Sequence, residues 1–146
     1  LNQANVRHTV ISDNAGGFLM QEGRVDCVLV GADRVSMDGS VCNKIGTYLK
    51  AIAAKQHNIP FYVAAPLSTV DFDFKGSEYT FDIECRGSEE IMKIKGRDSN
   101  GKITEVTLGN FPAYNQAFDI TPSEFVTKII CEEGVIEPNN IGSFIL

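Results

Sequence analysis

The sequence predicts an α/β fold, a Rossmann-like parallel sheet flanked by helices. Strand-like and helix-like segments alternate through the first half of the chain, as they do in strand-helix-strand crossovers. One run, Val25 to Ala32, holds the uninterrupted apolar stretch C-V-L-V, which is typical of a parallel strand that is covered on both faces. The second half is less regular and predicts an irregular hairpin insertion.

Three strands are predicted in the first half, each short and rich in apolar or β-branched residues: His8 to Ser12, Val25 to Ala32, and Phe61 to Ala65. Two helices are predicted to connect them, one from Ala15 to about Gly23 and one that begins at Asn43. The second helix has apolar residues at helical spacing. It is expected to end near His57, because Pro60 cannot continue a helix.

The elements predicted in the second half are short and alternating or turn-rich: a strand from Tyr79 to Glu84, a short helix or strand from Glu89 to Ile94, a turn-rich insertion from Gly96 to Gly101, a hairpin strand from Ile103 to Leu108, and a strand from Ala117 to Ile120. The run Thr121-Pro122-Ser123-Glu124 is typical of a helix start and predicts a helix through Ile130. The tail from Gly134 is expected to be extended, with its apolar end docked on a surface.

Composition restricts the class of protein. The 146 residues suit one domain, and the net charge of -6 with a pI near 4.8 argues against a general nucleic-acid surface. Four separate cysteines and two histidines indicate neither a zinc site nor a disulfide framework, so we expect a reduced, cytoplasmic setting, with the nucleus as the alternative. Cys27 and Cys131 are expected to be small buried hydrophobes. No apolar run approaches the roughly 20 residues that span a bilayer.

The segment from Gly31 to Tyr48 is where the sequence predicts function. Asp33 follows a buried strand at its carboxyl end, where α/β folds bind ligands, and is either a general acid/base or a turn-capping residue. Lys44 falls in the first turn of the predicted helix, where a cation opposes the helix dipole. A bound phosphate or carboxylate would reverse that effect, and an internal pair with Asp33 is the structural alternative.

Other charged residues in the sequence favour structural roles. Asp38-Gly39 is a turn signal, and Arg34 and Arg86 are expected to pair with acidic neighbours. Asp71 and Asp119 also follow predicted strands, where hydrogen bonds to loop backbone explain them as well as catalysis does. No glycine-rich nucleotide-binding loop follows the early strands, so nicotinamide, flavin and nucleoside-triphosphate sites are not supported.

Four runs resemble a known family: V-L-V-G-A-D-R-V, D-G-S-V-C-N-K-I-G-T-Y, I-P-F-Y-V-A-A-P-L-S-T-V-D and Q-A-F-D-I-T-P. They are similar to the carboxyl-terminal domain of the methylthioribose-1-phosphate isomerases. That family also includes ribose-1,5-bisphosphate isomerases and the regulatory subunits of the exchange factor for eukaryotic initiation factor 2, the initiation factor 2B type. The resemblance extends from Asp13 to Val135 and implies the shared Rossmann-like fold. The stretches G-A-D-R and A-A-P-L-S-T-V-D favour the methylthioribose branch.

The resemblance implies an aldose-ketose isomerase of methionine salvage that converts 5-methylthioribose 1-phosphate to 5-methylthioribulose 1-phosphate. Asp33 matches the catalytic acid of the family, Asn43 and Lys44 match its substrate-binding pair, and Cys42 is interpreted as filler. No metal or organic cofactor is implied. A ribose-1,5-bisphosphate isomerase and a non-catalytic regulatory subunit remain the alternatives.

The same resemblance carries expectations about the rest of the protein. Residues 1–146 correspond to a single carboxyl-terminal catalytic domain, and the amino-terminal domain, which holds phosphate-binding residues and a catalytic cysteine, is expected to be absent from this chain. The chain alone should therefore be inactive. Its expected partners are a sugar-phosphate substrate, that amino-terminal domain and a second copy in a homodimer, with no nucleic acid and no membrane.

Overall fold

The computed structural model describes residues 1–72 and 83–144. The α-helices in these ranges are α1 (Ala15–Gln21), α2 (Thr47–Gln56) and α3 (Glu89–Met92). The strands are β1 (Val28–Val30), β2 (Arg34–Ser36), β3 (Val41–Lys44), β4 (Phe61–Ala64), β5 (Val70–Asp71), β6 (Lys93–Arg97), β7 (Ile103–Thr107), β8 (Phe118–Thr121), β9 (Lys128–Cys131) and β10 (Gly134–Ile136). Short 3-10 helices span Asn2–Ala4, Leu67–Thr69, Ser123–Phe125 and Pro138–Phe144.

Two four-stranded sheets and a separate hairpin organise the described residues. The first sheet has the order β1-β4-β9-β10, in which β1, β4 and β9 are parallel and β10 is antiparallel to β9. The second sheet has the order β5-β2-β3-β8, in which only the β2–β5 pair is parallel. The chain is therefore a mixed α/β structure with helices flanking its sheets. The predicted fold class is confirmed, and antiparallel pairs accompany its parallel strands.

The core lies between the first sheet and α2. Phe61 and Val63 on β4 and Ile129 on β9 are almost completely buried, and Ala51 and Ala54 on α2 are fully buried in the same cluster. Burying a side chain the size of Phe, Val or Ile contributes about 1.5–3 kcal/mol. The small alanines let the helix approach the sheet closely. This packing positions the start of α2 and the end of β3, which precedes it.

Several predicted elements are confirmed. The first helix, the strand at residues 61–64, the end of α2 before Pro60 and the hairpin of β6 with β7 all form where they were expected. The first long strand is shorter than predicted, since β1 is limited to Val28–Val30. The expectation that it is covered on both faces is wrong, because β1 lies at the edge of the first sheet and Leu29 is 62% exposed. The turn of the hairpin insertion is also shorter, because β6 continues to Arg97.

The strand predicted from His8 to Ser12 is wrong, because these residues form no strand. Val10 is 90% exposed and Ile11 is 48% exposed, so burial does not offset the entropy of ordering the segment. Of the two crossovers expected in the first half, the structure contains the one that leads from β1 through α2 to the parallel strand β4.

The helix start at Asn43 is also wrong. Asn43 and Lys44 belong to β3, which pairs with β8 in antiparallel register, and α2 begins only at Thr47. Gly46 separates the two elements with a φ of 98°, a left-handed conformation that glycine adopts without steric cost. Pairing with a strand distant in sequence therefore overrides the helical periodicity of these residues.

The helix predicted from Thr121 to Ile130 is wrong for the same reason. Only the single 3-10 turn Ser123–Phe125 forms, and residues 128–131 become β9, parallel to β4. Thr121 does not cap a helix, since its buried hydroxyl has no hydrogen-bond partner among the described residues. The tail from Gly134 is extended only in β10, after which Pro138–Phe144 is a 3-10 helix.

Some predictions concern residues outside the described ranges. Most of the strand expected at 79–84 is among them, and the described residues 83 and 84 belong to no strand; residues 145 and 146 of the tail also lie outside.

Cys27 is exposed rather than buried, and Cys131 lies half-buried in β9 rather than in a helix. Within the described ranges, no helix has the length and apolar character to span a bilayer, and no cluster of three or more His, Cys, Asp or Glu side chains is arranged to hold a metal ion.

Candidate active site

Asp33 lies where the chain leaves β1 and enters β2. Its backbone N–H donates to the carbonyl oxygen of Cys42 at 3.0 Å, which ties this turn to β3. The residue is exposed and lines an open cleft together with Ser68, Thr69 and Asp71 from the segment that follows β4. A carboxylate at the carboxyl end of a parallel strand therefore faces a cleft, as the sequence predicts.

An ion pair forms one wall of this cleft. Arg34 Nη1 lies 3.7 Å from Asp71 Oδ2, and the strands that carry the two residues are parallel neighbours. Both side chains are partly exposed, at 54% and 31%, so the pair contributes at most about 1 kcal/mol to stability. Its main effect is on geometry, because it holds the loop after β4 beside Asp33. The predicted pairing of Arg34 with an acidic residue is confirmed.

Cys42 is the buried neighbour of this turn. Burial raises the pKa of its thiol above the ordinary value, and the carboxylates of Asp33 and Asp119 act in the same direction against the opposing charge of Arg34. A thiol whose pKa is raised stays protonated at neutral pH and is a poor nucleophile. Cys42 is only 7% exposed, which agrees with its interpretation as filler, a residue that packs without a chemical role.

The side chains of Asn43 and Lys44, at the end of β3, contact different partners. Asn43 Nδ2 donates to Thr47 Oγ1 at the start of α2, with 3.0 Å between the atoms. Lys44 Nζ lies 3.6 Å from Glu90 Oε1 on α3. The acidic partner of Lys44 is thus Glu90. The alternative, an internal ion pair between Lys44 and Asp33, does not form.

Asp119 occupies the helix start that was predicted to bind an anion. Its two carboxylate oxygens accept hydrogen bonds from the backbone N–H of Gly46 at 2.6 Å and of Tyr48 at 3.1 Å. These N–H groups are among those that a helix leaves unpaired in its first turn, and a carboxylate also stabilises the helix dipole there. The argument for an exogenous anion at this turn is therefore wrong: the anion is a side chain of the protein, and Lys44 is outside the helix.

Sequence reasoning left Asp119 undecided between a structural and a catalytic role. In β8 it lies opposite Asn43 in the register with β3, so it supports both the strand that carries Asn43 and the helix that follows. The only sequence signal for a role of Asp119 was its position next to a predicted strand. Its partners could not be identified from local pattern, because 73 positions separate it from Gly46.

Glu90 is a residue that sequence reasoning did not identify. The Nδ2 of the buried Asn115 donates to Glu90 Oε2 at 2.9 Å, and Arg86 Nη1 lies 3.5 Å from Oε1. This hydrogen bond and the charges of Lys44 and Arg86 hold the pKa of the Glu90 carboxyl below its ordinary value. Glu90 is therefore an anchored anion that holds the Lys44 ammonium near the end of β3.

Comparison with known proteins identifies the family. The model of the initiation factor 2 subunit family matches residues 1–138. The chain belongs to this family. Members of it that resemble the chain include the methylthioribose-1-phosphate isomerases of Methylocella silvestris, 52% identical over 95% of this chain, and of Gluconobacter oxydans, 49% identical over 97%. The chain spans about 38% and 39% of the length of these two relatives.

Solved structures of this family resemble the chain as well. The 5-methylthioribose 1-phosphate isomerase of Pyrococcus horikoshii is 40% identical with a TM-score of 0.76, over 92% of this chain and 35% of that one. A structure titled translation initiation factor eIF-2B, subunit delta, from A. fulgidus is 42% identical with a TM-score of 0.78, over 96% of this chain and 38% of that one. The predicted resemblance is confirmed, and members with either title share this fold.

Proposed function

We propose that the whole protein containing this chain is an aldose-ketose isomerase of methionine salvage, which converts 5-methylthioribose 1-phosphate to 5-methylthioribulose 1-phosphate. The observation that carries the proposal is 45–52% identity, over at least 95% of the chain, to proteins named methylthioribose-1-phosphate isomerase. The chain spans 38–40% of the length of those relatives, so the proposed activity is that of the whole protein, and we expect the chain alone to be inactive.

In this proposal Asp33 is the general acid/base, and Asn43 and Lys44 bind the substrate. The carboxylate exchanges protons with the substrate oxygens as the cyclic aldose opens and hydrogen moves between C2 and C1. The ammonium of Lys44 attracts the negative charge of the substrate phosphate, and the Asn43 amide binds a polar group of the sugar. The connection of Asp33 to β3 through Cys42 supports a shared site for the three residues.

We also propose that the amino-terminal domain of the same protein covers the Asp33 cleft. Asp33 is exposed in this chain, whereas proton transfer to a reacting sugar is favoured in a site that burial protects from water. A cover from another domain supplies that burial and excludes water from the reacting sugar. The catalytic cysteine and further phosphate ligands then come from that domain.

The test is Asp33→Asn in the full-length protein. We expect turnover of 5-methylthioribose 1-phosphate to fall by about 10²-fold or more, since general acid–base catalysis contributes about 10²–10⁴-fold. Asp26→Asn is the matched control, because Asp26 is exposed at the other end of β1, away from the cleft. Turnover in Asp33→Asn equal to that of the control would exclude the catalytic role.

A second function is favoured by the similarity to the structure titled as an eIF-2B delta subunit. In that case the whole protein is a non-catalytic regulatory subunit. Copurification with exchange-factor subunits, together with no isomerisation of 5-methylthioribose 1-phosphate, would establish it. Ribose 1,5-bisphosphate belongs in the same assay, and preferential turnover of that substrate would identify the third branch of the family.

We further propose that the whole protein is a homodimer. Apolar side chains on and beside α2 are exposed in this chain: Ile45 at 46%, Leu49 at 67% and Ile52 at 38%. Leu49 and Ile52 are three positions apart on α2 and share one helix face, and Ile45 precedes the helix. A second copy would remove these side chains from water.

A further inference from the structure

The side-chain amide of Asn43 has an orientation that its neighbours determine. Asn43 Nδ2 lies 3.0 Å from Thr47 Oγ1, and Thr47 Oγ1 lies 2.7 Å from the carbonyl oxygen of Lys44. Thr47 is only 5% exposed, so water does not compete strongly for its hydroxyl. The three groups form a short chain of hydrogen bonds across the junction of β3 and α2.

The direction of these hydrogen bonds follows from the chemistry of the groups. A backbone carbonyl can only accept, so the single hydroxyl hydrogen of Thr47 is donated to Lys44. The oxygen of that hydroxyl can then only accept, and the group of Asn43 that faces it must be the NH₂. Among the described residues the opposite end of the amide, Asn43 Oδ1, accepts no hydrogen bond.

We propose that Thr47 is a positioning residue that orients the Asn43 amide so that Oδ1 faces the substrate. Asn43 then accepts a hydrogen bond from a sugar hydroxyl. A phosphate that is fully ionised has only acceptor oxygens, so this amide oxygen does not bind it. The inference rests on the proposed function, since it assumes that Asn43 contacts a sugar phosphate.

Thr47→Val in the full-length protein tests the role of the hydroxyl. Valine has nearly the same shape but leaves the Asn43 amide free to rotate and the Lys44 carbonyl without its donor. We expect KM for 5-methylthioribose 1-phosphate to rise about five- to tenfold with kcat within about twofold, the effect of one lost neutral hydrogen bond in substrate binding. Thr47→Ser keeps the hydroxyl and should keep KM within about twofold of the wild type.

Thr121→Val is the matched control. Thr121 is also fully buried, in the adjacent strand β8, but its hydroxyl has no hydrogen-bond partner among the described residues. The same substitution there should leave KM unchanged. An unchanged KM in Thr47→Val, or an equal rise in Thr121→Val, would overturn the inference.

A measurement without catalysis separates the two proposals. In nitrogen-15 spectra of the full-length wild type, the Asn43 amide signals are identified by their loss in Asn43→Asp. We expect their hydrogens to exchange with water more slowly than those of the exposed Asn139. Exchange as fast as that of Asn139 would refute the role of Thr47 even if Thr47→Val does not fold. Slow exchange in a protein that does not isomerise the substrate would refute the proposed function and leave the amide orientation standing.

Discussion

Asp119 shows at the scale of single residues how one carboxylate can organise a site. It accepts hydrogen bonds from two backbone N–H groups at the start of α2, and in the sheet it lies opposite Asn43. A negative charge at this helix start interacts favourably with the helix dipole. One side chain therefore stabilises α2 and holds the turn that carries the proposed substrate ligands.

Asp119→Ala should destabilise the protein. The substitution removes two hydrogen bonds and a favourable charge at the helix start, which costs about 1–2 kcal/mol. In the full-length protein we expect a melting temperature lower by several degrees, measured by calorimetry. Asp26→Ala is the control, as an exposed aspartate that precedes β1. Equal melting temperatures for the two variants would show that Asp119 does not support the helix.

Features that depend only on neighbouring residues in the chain were predictable from the sequence. The position of Asp33 at a strand end facing a cleft was predictable, because a short apolar strand followed by a polar residue can be recognised without distant contacts. The partners of Lys44 and Asp119 were not predictable in this way. Glu90 and Gly46 are 46 and 73 positions away from them, and only folding brings them close.

The turn between β2 and β3 shows how an element depends on packing as well as on turn chemistry. Gly39 has a φ of 81°, and a Cβ atom placed on it would lie 2.4 Å from the carbonyl oxygen of Pro138. Ser36 donates to Asp38 within the turn, and Ser40 N–H donates to the same carboxylate. The sequence predicts the turn at Asp38-Gly39, whereas the contact with Pro138 appears only in the structure.

Gly39→Ala should therefore cost more stability than an ordinary glycine replacement in a turn. Gly101→Ala is the matched control, because Gly101 has a φ of 77° but nothing within 4 Å of the position of a Cβ atom. The control isolates the backbone strain, which costs about 1 kcal/mol. The clash at Gly39 should add about 1–3 kcal/mol, measured as the free energy of unfolding in urea. Equal losses would mean that the backbone of Pro138 moves away freely.

At the scale of the whole molecule, α2 exposes the apolar side chains of Leu49 and Ile52, on which the proposed homodimer rests. Leu49→Asp places a charge in that face and should turn the proposed homodimer into a monomer, because burying an unpaired charge costs several kcal/mol. Light scattering of the full-length protein measures the mass. Leu108→Asp is the control, since Leu108 is 56% exposed near the β6–β7 hairpin. A dimer in Leu49→Asp, or a monomer in the wild type, would contradict the proposal.

The sequence by itself determined the α/β class, the presence of a strand at Val28–Val30, the strand at Phe61–Ala64 and the hairpin of β6 with β7. It also determined the family, through motifs that continue along nearly the whole chain. These features depend on local patterns: apolar runs, alternation and the turn signals that bound them.

Only the tertiary structure decided that residues 41–44 and 128–131 are strands. Both segments are short, and their spacing fits a helix as well as a strand, so the distant partners β8 and β4 determine the outcome. The same pairing moves Asn43 and Lys44 out of the helix and leaves its first turn to Asp119. The physical reason is that strand pairing is satisfied between segments, whereas a helix satisfies its hydrogen bonds within itself.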